Sequence, residues 1–197
     1  MKPEGERPSR ETGEATEGEF RFQPLAEDDL PLLLDWRSRP HVTEWSPKYA
    51  SLEELRARYL PRISGENTTT PYLVFRGDEA IAYVPSYVAA DVGDGWWPDE
   101  SDPGTLGTDQ FLAHEADLGR GLGTRMVCEF LEVLFQDPTV HRIQVDPAPD
   151  NTRAIRCYEK VGFHGTTTLM TPDGPARLMV LERSTYRRRH TPPKGTE

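Results

Sequence analysis

The chain has 197 residues, 36% of them hydrophobic and 28% charged, and a formal net charge of −10. That length suits one domain with a core large enough to fold alone. No apolar stretch approaches the ~20 residues of a membrane span, and an acidic chain is poorly matched to a phosphate backbone, so neither a membrane nor a nucleic acid is an expected partner. Cys128 and Cys157 have no CxxC or metal-ligand spacing, the histidines are scattered without HExxH, and there is no Walker loop or GxSxG elbow. Metal hydrolase, P-loop and serine-hydrolase chemistries therefore lack sequence support, and no metal is expected. Two thiols inside expected helices fit a reducing, cytoplasmic location.

Residues 1–19 are Glu-, Gly- and Pro-rich without an apolar core, and are expected to be a disordered tail rather than a signal peptide. A folded domain is expected over 20–185. Phe20 to Leu25 reads as a strand, and Asp28 to Arg37 as a helix with Pro31 near its first turn and Pro40 closing it. Ser51-Leu52-Glu53-Glu54 fits a capping box for a second helix running to about Tyr59. Tyr72 to Arg76 and Ala80 to Val88 form a hairpin across Gly77-Asp78, in which Pro85 cannot donate and predicts a bulge or an unpaired N–H. A loop, Ala90 to Thr105, leads into a strand, Leu106 to Ala113, followed by a Gly-rich turn and a helix from Met126 to Phe135. Val140 to Val145 is a strand that stops at Asp146-Pro147; a short helix follows from Asn151. Phe163 to Met170 and Ala176 to Glu182 pair across the turn from Thr171 to Pro175. The last segment, 186–197 with Arg187, Arg188 and Arg189, reads as a basic solvated tail. The order β-α-α-β-β-β-α-β-α-β-β implies an α/β fold with one mixed sheet.

Three features carry chemistry. The first is the helix after Asp150. Asp150 or Asn151 can N-cap it, Gly162 suits a left-handed C′ position, and Asn151, Ile155, Tyr158 and Gly162 share one face. The second is Leu118-Gly119-Arg120-Gly121-Leu122-Gly123-Thr124, between a strand and a helix. Its glycines let a ligand approach the backbone, and the helix start favours a pyrophosphate. The third is an acidic zone from Gly77 to Gly119, with ten Asp or Glu and no Lys or Arg. It argues for a cationic partner. Within it, Asp94 lies beside Trp96 and Trp97, a platform for a hydroxylated polycation. Asp109 falls in a core strand, where an acid does not serve packing; its carboxylate is expected to face a pocket at a break in the pairing.

The run Asn151 to Phe163 resembles the coenzyme-A-side helix of the GCN5-related N-acetyltransferases (GNAT), whose pattern is close to N-x-x-A-I-x-x-Y-x-K-x-G-F. The resemblance implies a GNAT fold, with a single sheet splayed open around the cofactor and helices on both faces. More specifically, Ser86 to Ala89, Gly93 to Trp97, Asp102 to Gly104, Gly107 to Gln110, Leu118 to Thr124, Gln144 to Pro147 and Thr171 to Ala176 resemble the aminoglycoside 6′-N-acetyltransferases of type Ib. That family implies transfer of acetyl from acetyl-CoA to the 6′-amine of an aminoglycoside, conferring resistance; a monomer or weak homodimer is expected. By position, Asp109 resembles the general base or amine anchor and Tyr158 the general acid. Trp45, Tyr59, Asp94, Trp96, Trp97, Asp146 and Asp173 resemble substrate-pocket residues. Phe111, Leu112 and Ala113 would pair with the pantetheine arm. Gly119, Arg120, Gly121, Leu122, Gly123 and Thr124 would hold the pyrophosphate, and Asn151 would contact the cofactor. The chain departs from the family at Leu118, where Gln or Arg is usual, at Ser46-Pro47, and at Pro85. The rival readings are a GNAT enzyme for a siderophore precursor or a protein N-terminus, and a non-catalytic module that binds aminoglycosides or acyl-CoA.

Overall fold

The computed structural model describes residues 18–93, 96–97 and 99–190, with side chains to Tyr186. Its centre is one eight-stranded mixed sheet of order β1-β2-β3-β4-β6-β8-β7, in which β5 also pairs with β3. The strands are β1 (Arg21–Pro24), β2 (Thr70–Arg76), β3 (Glu79–Val88), β4 (Thr105–Thr108), β5 (Phe111–Leu112), β6 (Arg142–Val145), β7 (His164–Thr171) and β8 (Gly174–Glu182). Only β4 and β6 run parallel; the other pairs are antiparallel.

Alternation along the strands sorts side chains onto two faces. Val74, Ala82 and Val84 face a core completed by α4 (Leu122–Leu134), α5 (Thr152–Val161) and the buried Tyr186 of α6 (Arg183–His190). Leu73 and Tyr83 face the opposite core, built with α1 (Leu30–Arg37) and α3 (Leu52–Ile63). Helices thus cover both faces of the sheet.

The structure revises several expectations. Pro40 does not merely close α1; it opens a further short helix, α2 (Pro40–Thr43), because a proline fits the first turn, where its missing N–H is not needed. Helix α3 runs past Tyr59 to Ile63, with Pro61 in its last turn. The expected strand Leu106 to Ala113 is two strands, β4 and β5, parted at Asp109-Gln110. The register on β3 is the same on either side of that gap.

Pro85 explains the parting. It lies opposite Pro71, whose carbonyl accepts from Leu25 on the far side, so the Pro85 backbone turns toward β4 and β5. There it has no N–H to give, and the ladder lapses opposite Asp109. The Thr108 hydroxyl takes the Pro85 carbonyl instead, at 2.7 Å. The expected bulge falls elsewhere, between Val74 and Phe75.

At the domain's edges, the Glu129 carboxylate accepts from the N–H groups of Glu19 and Phe20, and Glu19 pairs with Arg76 and Arg125. Tyr186 packs on Phe135. Among the described residues, no helix is long and apolar enough to cross a membrane.

Candidate active site

Strands β4 and β6 pair only from Thr105–Arg142 to Gly107–Gln144. Beyond that point β5 stays with β3 while β6 ends at Val145, so the sheet opens into a cleft of about 350 Å³ between β5, the start of α4 and α5. Backbone alternation decides what β5 offers to it. The Ala113 N–H bonds the Ile81 carbonyl, and Phe111 pairs with Tyr83. Both residues therefore spend their backbone groups on β3, and Leu112 is the one turned to the cleft. Its carbonyl accepts from His41 Nε2 at 3.0 Å.

The opposite wall begins at the Gly-rich turn. Gly119 (φ 74°) and Gly121 (φ 79°) occupy the left-handed region that side chains avoid. The first helical bond of α4 runs from the Arg125 N–H to the Gly121 carbonyl. The N–H groups of Leu122, Gly123 and Thr124 are thus left at the positive end of a 13-residue helix, the arrangement that binds phosphate. The Arg120 side chain is exposed and 3.9 Å from Asp117.

Helix α5 closes the cleft. Of the two candidate caps, Asn151 is the one used: its Oδ1 accepts from the Ala154 N–H at 3.1 Å, and Gly162 ends the helix at φ 121°. Tyr158 projects into the cleft, packed edge-on against Phe163. Burial, with the neighbouring Cys157, Asp109 and Asp146, raises its phenol well above the ordinary value, so it holds its proton. Sequence reasoning passed over Cys157 and Gln110. The Cys157 thiol lines the cleft, takes the Thr124 hydroxyl at 3.4 Å, and lies 3.7 Å from Gln110 Nε2.

Next to Tyr158, three carboxylates from distant segments act on one another: Asp109 in the β4–β5 break, Asp146 after β6, and Asp173 in the β7–β8 turn. Asp109 keeps contact with the solvent of the open cleft, while protein surrounds it on its other sides. Burial raises its pKa, Arg37 and Arg62 pull it back, and Asp173 adds to the rise. Burial, reinforced by Asp109 and Asp173, pushes half-buried Asp146 up to about 8. Tyr87 joins them because Gly107 lies directly under its ring, where any Cβ would collide. Its phenol is raised by burial and by Asp146 and Asp109, and stays a donor.

The remaining sequence candidates are dispersed around this centre. Trp45 is 37% exposed and lines the same cleft with His41. Tyr59 is fully buried beneath the acidic pocket, and Trp97 is buried. Trp96 borders a second, polar depression with Arg62, Asn67 and Asp91. Asp94 lies outside the described residues. Among the described residues no cluster of His, Cys, Asp and Glu could hold a metal ion.

This arrangement, a splayed mixed sheet with an anion-binding helix start facing a phenol and an acid cluster, agrees with what comparison finds. The family model for the acetyltransferase (GNAT) domain matches residues 26–170. The chain is 46% identical over 167 residues to aminoglycoside N(6′)-acetyltransferase type 1 of Klebsiella pneumoniae, covering 83% of each protein. It superposes with a TM-score of 0.82 and 46% identity on aminoglycoside acetyltransferase AAC(6′)-Ib in complex with coenzyme A and kanamycin, covering 86% of this chain and 98% of that one. The complex of AAC(6′)-Ib with paromomycin and acetyl-CoA gives 0.83 and 44%, covering 87% and 98%. The chain belongs to the GNAT acetyltransferases and, within them, to the family of the aminoglycoside N(6′)-acetyltransferases.

Proposed function

We propose that this enzyme transfers the acetyl group of acetyl-CoA to the 6′-amine of aminoglycoside antibiotics, with both substrates bound together. The observation that carries this reading is the Asp109, Asp146 and Asp173 cluster at the mouth of a cleft whose opposite end is an anion-binding helix start. Three carboxylates suit a polyamine, and the free N–H groups of Leu122 to Thr124 suit a pyrophosphate. The relative's complexes, with acetyl-CoA beside paromomycin and coenzyme A beside kanamycin, support simultaneous occupancy.

The cofactor supplies an activated acetyl thioester; the chain supplies alignment and protons. The Leu112 N–H offers the open strand edge to a pantetheine amide, and Asn151, the cap of α5, lines the same cleft. An ammonium is not a nucleophile, and an acidic pocket stabilises the ammonium form. Asp109, free of any strand partner and in contact with water, is the group suited to remove that proton. Tyr158, which keeps its own proton, donates to the departing thiolate. Asp146, Asp173 and Asp94 anchor further amines, and Trp45 and Trp96, the less buried of the three tryptophan candidates, border the sugar rings. A cytoplasmic location and a monomer or weak homodimer complete the proposal; the two free thiols support the former.

The test compares kanamycin or tobramycin, which carry a 6′-amine, with paromomycin, which carries a 6′-hydroxyl. Thiol release should be fast with the first pair and slow with paromomycin. Equal turnover would sink the regiochemical claim.

A further inference from the structure

We infer that Arg37 is a positioning residue for the proposed reaction: caged beneath the acidic pocket, it is the fixed internal cation that keeps Asp109 ionised and limits how tightly the pocket holds polycations. The inference rests on the role assigned above to Asp109. On sequence, Arg37 is merely a basic residue in the last turn of α1, where the helix dipole favours it. Its spacing from Leu30 and Leu33, however, puts it on the buried stripe of that helix, and it is only 8% exposed.

A buried guanidinium normally pairs with a carboxylate. Among the described residues no carboxylate lies within ion-pair distance of Arg37. Four ring faces surround it instead. Its Cζ lies 5.5 Å from the ring of Tyr49, 5.7 Å from Tyr59, 5.3 Å from Tyr83 and 5.2 Å from Phe111. The cage fixes the cation without neutralising it. It is also incompletely satisfied, since Arg37 Nε and the hydroxyls of Tyr59 and Tyr83 are buried without hydrogen-bond partners. The uncompensated charge is felt beyond the cage, because Phe111 is two residues from Asp109 across the β4–β5 break.

The groups that act on Asp109 or share its field are Arg37 of α1, Arg62 of α3, Tyr83 and Tyr87 of β3, Asp146 after β6, Tyr158 of α5 and Asp173 of the β7–β8 turn. Only the two arginines are positive. Arg62 is partly exposed, over the outer face of Tyr59 at 5.1 Å, where water screens it. Arg37, buried in its cage, is screened much less. Without it, Asp109 would sit in a pocket of acids and phenols with little to favour its charged form.

The experiment compares wild type with Arg37→Met, Arg37→Gln and Arg37→Lys. It records the pH profile of kcat/KM for a 6′-amine aminoglycoside at saturating acetyl-CoA, together with the drug KM. The drug's own titration is common to all variants, so differences belong to the enzyme. Both neutral variants should move the acidic limb upward by about one pH unit and, above that limb, lower the drug KM about threefold through loss of repulsion. The Lys variant should keep the wild-type limb. Arg37→Gln, which can reach the cage hydroxyls, stands in if the Met variant does not fold. A folded neutral variant that loses activity equally at every pH, with an unmoved limb and an unimproved drug KM, would make Arg37 a packing residue and overturn the inference. So would a Lys variant that shifts the limb as far as the neutral ones. A wild type inactive on every 6′-amine drug would instead remove the reading on which the inference rests.

Discussion

Replacing Asp146 by Asn should make the ligand-free protein more stable and the enzyme worse, and the stability gain should depend on pH in a definite way. Asp146 follows the last residue of β6 and faces Asp109 and Asp173, and its pKa rises from 3.8 to about 8. An acid whose pKa is raised by folding holds its proton more tightly in the folded state. Below about pH 4 both states carry the proton and there is no penalty. Between about pH 4 and 8 the unfolded chain has released it and the folded one has not, so the penalty grows with pH; above about 8 it is constant. In a dry site that interval would be worth about 6 kcal/mol. The cleft is open to water, which relieves part of that burial penalty and leaves at least about 2 kcal/mol. Asparagine keeps the shape and cannot ionise. For a domain of this size about 2 kcal/mol corresponds to roughly 4–8 °C in Tm. Thermal unfolding of both proteins without ligands, from pH 4 to 9, should give curves that coincide at the acid end and separate by that amount at the alkaline end. Parallel curves, or a less stable variant at pH 9, would refute the argument. The same variant should raise the drug KM about tenfold, since a charge-assisted bond is lost.

Three further outcomes follow from the site. Asp109→Asn should lower kcat by about 10²-fold and alter the acidic limb if Asp109 is the base; a rise in drug KM with an unchanged profile would make it an anchor, and a folded variant with normal kinetics would exclude both roles. Tyr158→Phe should lower kcat by about 10²–10⁴-fold while acetyl-CoA affinity, measured by calorimetry, holds; collapse of affinity with surviving chemistry would mark Tyr158 as packing. Gly121→Ala meets nothing closer than Arg125 Nη1 at 3.6 Å, so its effect must come from the left-handed backbone alone. Strain of about 1–2 kcal/mol should shift the start of α4 and raise the acetyl-CoA KM several-fold with the drug KM unchanged; the reverse pattern would detach the Gly-rich turn from the cofactor.

What the sequence determined by itself is what short-range physics decides. Asn151 and Gly162 mark the ends of α5 through a side-chain cap and a positive φ, both of which act within a few residues. The Gly119 to Thr124 turn announces its backbone freedom in the same local way, and the hairpin turns at Gly77-Asp78 and Pro172-Asp173 lie where the turn residues put them. Strand pairing is not local. Residues 106–113 read as one continuous strand, and they part at Asp109 because Pro85, more than twenty positions away, cannot complete the ladder. Pro40 reads as a stop and acts as a start. Glu19 is held by Arg76 and Arg125, and Tyr186 is buried against Phe135, through partners equally far along the chain. Of the candidate site's residues, Asp109 and Tyr158 stood out by their position in the sequence, whereas Asp146 and Asp173 were singled out only by the family resemblance. Their convergence was not legible, and neither was Arg37, whose buried charge has meaning only once α1, α3, β3 and β5 bring four rings around it. Periodicity and capping are written in neighbouring residues, whereas the field inside a pocket is set by groups that only the tertiary fold brings together.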